Sequence, residues 1–291
     1  MLKNKNIKGA VLMSLASVCF SIAGVLFKII PWGAFSSNGI RALIAACMFL
    51  VYMKLKGRKI VVNKTVVCAA VCMFLTTTFF ALSNKNTSAA NAIILQFTAP
   101  VFIILYLKFF KREKQGKNEM IACTLVFAGL LLFFCDSLTT GNYLGDFYGL
   151  ISGVTYAGVF LFNTKSDSDA ASAVVIGYFT AAIVGLPFAA FETDFSLRTI
   201  GLLVFLGVFQ LGFGYLFFTS SLAYLPPVPA SLISGLEPVL NPLLVAVFYP
   251  AEHLSVFAKC GAAVVLVTIV AYNVAKALKE SKIDAECSQN T

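Results

Sequence analysis

Runs of about twenty apolar residues follow one another along the whole chain, each long enough to cross a hydrocarbon layer of roughly 30 Å. They fall near residues 7–30, 36–55, 62–82, 87–107, 120–137, 143–163, 171–191, 197–221, 228–249 and 255–278. Only 12% of the 291 residues are charged and mean hydropathy is +0.88, whereas a soluble domain is roughly a quarter charged because its exterior faces water. The runs are too long and too evenly apolar for barrel strands of about ten alternating residues. Helices satisfy their own backbone groups in lipid, so ten helices are expected. The first run is longer than a signal-peptide core, carries Lys28 near its far end and lacks a small-residue cleavage site, so it reads as a retained span.

Lys and Arg are unevenly placed. With a cytoplasmic N-terminus, seventeen of the 22 fall on cytoplasmic segments, and Lys28, Arg41, Lys85, Arg198 and Lys259 are the exceptions. That bias sets the expected orientation, and an even number of spans puts both termini inside a cell membrane. The net charge of +9 then reflects loops that meet anionic lipid headgroups. The bilayer is an expected partner; nucleic acid is not.

Reaction chemistry lacks its parts. Cys68 and Cys72 share a helix face, but no further Cys or His nearby completes a zinc site, and the cysteines read as small apolar packing residues. The single histidine, His253, falls in a loop, so no Ser/His/Asp arrangement is available. No glycine loop ends in Lys-Ser or Lys-Thr to cradle a nucleotide. We expect no enzyme, no metal and no cofactor.

The two halves resemble each other. Phe79-Phe80-Ala81-Leu82-Ser83 aligns with Phe217-Phe218-Thr219-Ser220-Ser221 at an offset of 138, which also sets Gln96-Phe97-Thr98-Ala99-Pro100-Val101 on Ser234-Gly235-Leu236-Glu237-Pro238-Val239. Five spans per half is odd, so the second half enters from the opposite side. The expected fold is an all-α integral membrane protein of ten transmembrane helices, built as two inverted five-helix repeats (1–141 and 142–280) with a polar cytoplasmic tail (281–291). Such a repeat suits alternating access around a central site.

The five-plus-five layout, Ala-Pro-Val and Glu-Pro-Val at duplicate spacing, Arg41-Ala-Leu opening the second span and the Glu252-His253-Leu254 turn resemble the EamA-type carriers of the drug/metabolite transporter superfamily. The resemblance covers about residues 7–278. It departs where repeats often end in a Gly-Glu turn, and in the polar run Asn84-Lys85-Asn86. It implies a secondary transporter that moves a small organic metabolite (an amino acid or similar, or a drug-like or cationic compound), with a central cavity lined by both halves. The alternative is a flippase, or a flippase subunit, for a lipid-linked sugar, although such proteins typically have four spans. A monomer or homodimer is expected.

Polar residues within spans should turn away from lipid. They form stripes: Ser14, Ser17, Ser21 and Lys28 in the first span; Ser88, Asn91 and Thr98 in the fourth; Ser152, Thr155, Tyr156 and Asn163 in the sixth; Ser231, Ser234, Glu237 and Asn241 in the ninth. Gln210 joins Gly207 and Gly214 in the eighth. The candidate pathway is Glu237, Ser234, Asn241, Asn91, Ser17, Tyr156, Gln210 and Gln96, the last being the repeat counterpart of Ser234. Small hydroxyls and glycines of this kind serve equally for helix packing. Glu237 is the one carboxylate deep in a span and a candidate carrier of a coupling proton, H+; it is equally suited to a structural contact. Pro100 and Pro238 are candidate gating positions, because each removes a backbone donor. Tyr156, Tyr178 and Tyr215 could wall an apolar or cationic substrate. Arg41 could receive a carboxylate, but an arginine so near a span end more often snorkels or pairs within the bundle. Trp32 reads as an interface anchor.

Overall fold

The structure, a computed structural model, describes residues 2–87, 89–112, 116–135, 142–240 and 255–289, and among these there is no strand. The first half holds α1 (Leu2–Ser21), α2 (Ala23–Ile29), α3 (Ala34–Leu55), α4 (Lys64–Asn86), α5 (Ala89–Gln96), α6 (Ala99–Phe109) and α7 (Lys117–Phe134). The second holds α8 (Tyr143–Asn163), α9 (Ala170–Ala189), α10 (Leu197–Phe205), a π-helical segment (Leu206–Phe213), α11 (Gly214–Leu222), α12 (Pro227–Ser234) and α13 (Val256–Gln289).

Among the described residues, six helices are long and apolar enough to cross a membrane: Ala34–Leu55, Lys64–Asn86, Asn91–Phe109, Tyr143–Asn163, Ala170–Ala189 and Leu197–Leu222. Asn6–Ser21 and Lys259–Tyr272 are shorter apolar helices. The difference from ten lies partly in interruptions. The first expected span divides at Ile22 into α1 and α2. The ninth is interrupted at Gly235, and its continuation beyond residue 240 lies outside the described residues.

Polarity is inverted relative to a water-soluble fold. Val51, Ile183, Phe191 and Val267 stand on the surface, more than half exposed, while Arg41, Asn38 and Asn84 are almost fully enclosed. Helix ends are made by local side chains. Asn63 accepts from the Val66 N–H and Asp169 from the Ser172 N–H, capping α4 and α9. At the end of α3 the chain turns through Gly57 (φ 62), with Arg58 N bonded to Met53 O and Gly57 N to Lys54 O. Glycine meets that left-handed turn without a Cβ clash, and the motif satisfies the last carbonyls.

Packing repeats when the halves are exchanged. Helix α4 runs against α8, and the π-helical segment and α11 run against α1. Two further contacts join equivalent helices, α3 with α9 and α7 with α13. Both are antiparallel: Glu192, just past α9, bonds Gly33 N at the start of α3, and Arg58, just past α3, pairs with Asp169 at the start of α9. In the other pair Tyr272 bonds Glu119 while Gly129 lies against Val265.

Candidate functional site

At the centre, where helices of both halves meet, lies a cavity of about 30 Å³. A water needs roughly 10–15 Å³, so in this conformation the space admits a water or two and no organic molecule. Its polar lining comes from α3 (Arg41), α4 (Thr76, Thr77), α5 (Gln96), α8 (Tyr156), the π-helical segment (Gln210) and the stretch 236–240 (Glu237). Phe20, Phe80, Leu211 and Tyr215 supply the apolar remainder.

Arg41 is 1% exposed. Its Nε and Nη2 donate to Asn38 Oδ1 at 3.3 and 3.0 Å, its Nη1 donates to Gln210 Oε1 at 3.0 Å, and the guanidinium sits 4.4 Å from the centroid of the Phe27 ring. Asn38 in turn donates to Thr77 and Thr78. Hydrogen bonds to a charged group are each worth about 1.5–3 kcal/mol, so three of them with a cation–π contact offset much of the cost of enclosing the charge. Every partner is neutral. Among the described residues the one ion pair is Arg58–Asp169, so Arg41 and Glu237 border the same cavity without pairing. No hydrogen bond to the Glu237 carboxylate is found among the described residues, although Tyr156 and Tyr215 border the same cavity.

The helix breaks position this site. Helix α5 ends at Gln96, the chain turns at Phe97–Thr98, and α6 restarts with Pro100 in its first turn, where a missing N–H costs nothing. At the equivalent place α12 ends at Ser234, turns at Gly235 and resumes at 236–240, which contains Pro238. The first break leaves carbonyls of Leu95 and Gln96 turned toward α8; a Cβ on Gly153 would stand 2.5 Å from Leu95 O and Thr98 Oγ1. Beside it Gln96 donates to Ser152 Oγ, which donates to Thr76 O. The π-helical segment has no counterpart in α4, which is continuous. π-Helical geometry inside α-helices concentrates at functional sites, and this eight-residue segment carries Gln210 to Arg41.

Of the residues that periodicity selects, Glu237, Tyr156, Gln210 and Gln96 meet at the cavity. Ser234 is buried and donates to Ser231 O. Ser17 also bonds its own helix, at Met13 O, and does not line the cavity. Asn91 lies away from the centre, donating to Asp146 Oδ1 and Thr87 Oγ1. Asn241 and His253 lie outside the described residues. Tyr215 is on the wall with Tyr178 behind it, ring centroids 5.4 Å apart. Arg41, for which the sequence left both the interface and the bundle interior open, is paired within the bundle and borders the cavity. Trp32 is no free anchor either: it is 2% exposed, with Nε1 bonded to Asp194 O and its ring 5.3 Å from Phe195. The loop after α9 covers it.

The two ends of the bundle differ. At the end carrying Trp32, Glu192 accepts from Gly33 N and Ser36 Oγ, and Lys85 donates to Ile30 O. At the basic end, two spaces of about 380 and 480 Å³ adjoin at Thr164, Lys165 and Ser166.

A sequence model of the EamA-like transporter family matches residues 7–135 and 143–274, once in each half. A protein of Archaeoglobus fulgidus described as an uncharacterized transporter is 25% identical over 214 residues, covering 72% of this chain and 76% of its own. One solved structure, described only as the crystal structure of a protein, matches with a TM-score of 0.74 at 16% identity over 92% of this chain and 98% of its own. At that identity the likeness is one of fold.

Proposed function

The chain belongs to the EamA-like transporter family, and from that premise we propose that it is a secondary carrier of a small organic metabolite working by alternating access. It is a multi-pass membrane transporter; the ten spans, the inverted halves, the mechanism and the substrate class are our reading. The observation that carries it is the central cavity, which draws polar side chains from both halves and lies beside paired helix breaks at Phe97–Thr98 and Gly235. A site shared by two similar halves opens to one side or the other as the halves rock.

The basic end is cytoplasmic in this reading, with both termini there, because seventeen of the 22 basic residues then lie inside. Among the described residues, loop contacts from Glu192, Trp32 and Lys85 join the outer end, and two larger spaces lie at the inner end. Pro100 and Pro238 act at the bending points. Glu237, the acidic group of the cavity, takes up and releases the coupling proton.

Reconstitution into liposomes tests this reading. A carrier gives saturable counterflow and trans-stimulation by unlabelled substrate. Conductance without saturation, or movement of labelled lipid without solute counterflow, would contradict it.

A further inference from the structure

We propose that Phe27 is the gate between the central cavity and the outer side of the membrane, carried by α2 and withdrawn when α2 pivots at Ile22. The inference rests on the carrier reading and deepens it by naming the element that moves at the outer end.

Four observations carry it. Phe27 is fully buried and links the cavity to the outer end through two cations. Its ring centroid is 4.4 Å from the guanidinium of Arg41, which lines the cavity, and 5.7 Å from Nζ of Lys85, which bonds Ile30 O where α2 ends. The ring belongs to a small apolar cluster with Ile30, Trp32, Ala81, Leu203 and Leu206, separate from the larger core that contains the cavity residues Phe20, Phe80, Tyr156 and Tyr215. Helix α2 is a piece of seven residues, broken from α1 at Ile22, which makes no side-chain cap. Element ends of this kind absorb the backbone rotation of a hinge. Finally, Asn84 is fully buried, and neither polar atom of its side chain has a hydrogen-bond partner among the described residues.

Asn84 marks where the path runs. Steps of three and then four residues place it on the face of α4 that carries Thr77 and Phe80, both of which line the cavity. It stands about 10 Å beyond Thr77 along the helix axis, next to Lys85. An enclosed amide without a partner is rare in a native fold. Water that reaches it in a second conformation supplies the missing bonds, and withdrawal of Phe27 admits that water. The contacts that hold the ring suit a reversible gate. Cation–π attraction is lost when the ring leaves, but Arg41 and Lys85 are then hydrated, which offsets the loss. Two states close in free energy are what a carrier needs at each end.

Thiol access to the cavity tests the proposal on the full-length protein in proteoliposomes of known orientation. Thr77→Cys in a cysteine-free background is the reporter, and a membrane-impermeant quaternary-ammonium methanethiosulfonate is the probe. Adding Phe27→Ala should raise the modification rate from the outer side at least tenfold and leave the inner rate no higher. Phe27→Leu, which keeps apolar bulk but loses the ring face, should raise the outer rate by a smaller factor. Tm is measured on each variant, and the side dependence separates a gate from a loosened core, which raises both rates together. If Phe27→Ala does not fold, Phe27→Leu decides, together with Asn84→Cys as the single cysteine, which should react from the outer side. An outer rate unchanged by Phe27 substitution, equal increases on both sides, or an Asn84→Cys that stays unreactive from outside overturns the proposal. The gate and the carrier fail separately. Reaction of Thr77→Cys from both sides, at rates untouched by either Phe27 variant, contradicts the gate alone. Reaction from the inner side alone, becoming simultaneous access from both sides in Phe27→Ala, contradicts the carrier alone.

Discussion

Gly39 and Gly185 bring α3 and α9 into backbone contact: a Cβ on Gly185 would stand 2.6 Å from Gly39 Cα and 2.3 Å from Phe35 O. Backbone cannot swing aside as a flexible side chain does. Overpacking of a filled site typically costs about 1–3 kcal/mol, so Gly185→Ala should lower Tm by several degrees or prevent accumulation of folded protein. Gly201, with nothing within 4 Å of its would-be Cβ, is the control. Gly201→Ala should leave Tm unchanged or raise it, since alanine favours a helix interior over glycine; equal losses from the two substitutions would refute the close approach.

The opposite end of the same helix pair allows a graded comparison. Asp169 both pairs with Arg58 and caps α9 through Ser172 N, while Arg58 contributes the ion pair alone. Exposed pairs are worth about 0.2–1 kcal/mol and a lost cap about 1 kcal/mol. Asp169→Ala should therefore lower Tm more than Arg58→Ala, and only the Arg58 effect should fade fully in high salt. Equal, salt-insensitive losses would contradict the division of roles.

Asp194 supplies the pH dependence. The Thr199 hydroxyl and the Ser196 N–H donate to its carboxylate and hold its pKa below the usual 3.8. A folded pKa below the unfolded one means stabilisation that is fully present above the unfolded value and lost as pH falls through the folded value. The Tm difference between wild type and Asp194→Asn should be constant from neutral pH down to the ordinary carboxylate range, then shrink below it. A difference that grows on acidification would have the wrong sign.

Much of this was legible in the sequence, and the part that was not has a physical cause. The apolar runs are continuous because lipid tolerates few charges, so the helices could be read directly. Pro100 and Pro238 coincide at one offset, and the chain turns just before each. The site was only half legible. A helical stripe identifies residues that avoid lipid but does not separate a hydroxyl facing a cavity from one bonded to its own helix, as Ser17, Ser231 and Ser234 are. Arg41 was left open between the interface, a partner within the bundle and a substrate, because its place depends on tertiary partners: Gln210 on the π-helical segment, and Phe27 beside it. Its one local signal was Asn38 three residues earlier, on the same helix face.

Glu237 separates coupling from architecture. Glu237→Gln keeps the shape and removes the charge; if the residue carries the proton, the variant folds with near-native Tm, loses pH-driven accumulation and retains energy-independent exchange. A well-folded variant whose uptake still follows the pH gradient would remove Glu237 from the coupling step. A variant that fails to fold would assign it a structural role.

The central claim is that one enclosed site faces each side of the membrane in turn. Thr77 lines the cavity and is 5% exposed, so Thr77→Cys in a cysteine-free background reports access to it. A membrane-impermeant thiol reagent is applied to proteoliposomes of known orientation, first from the outer and then from the inner side. The account predicts reaction from both sides, with modification from either one blocking the other and stopping counterflow. Reaction from one side only, under every condition that supports transport, would contradict it.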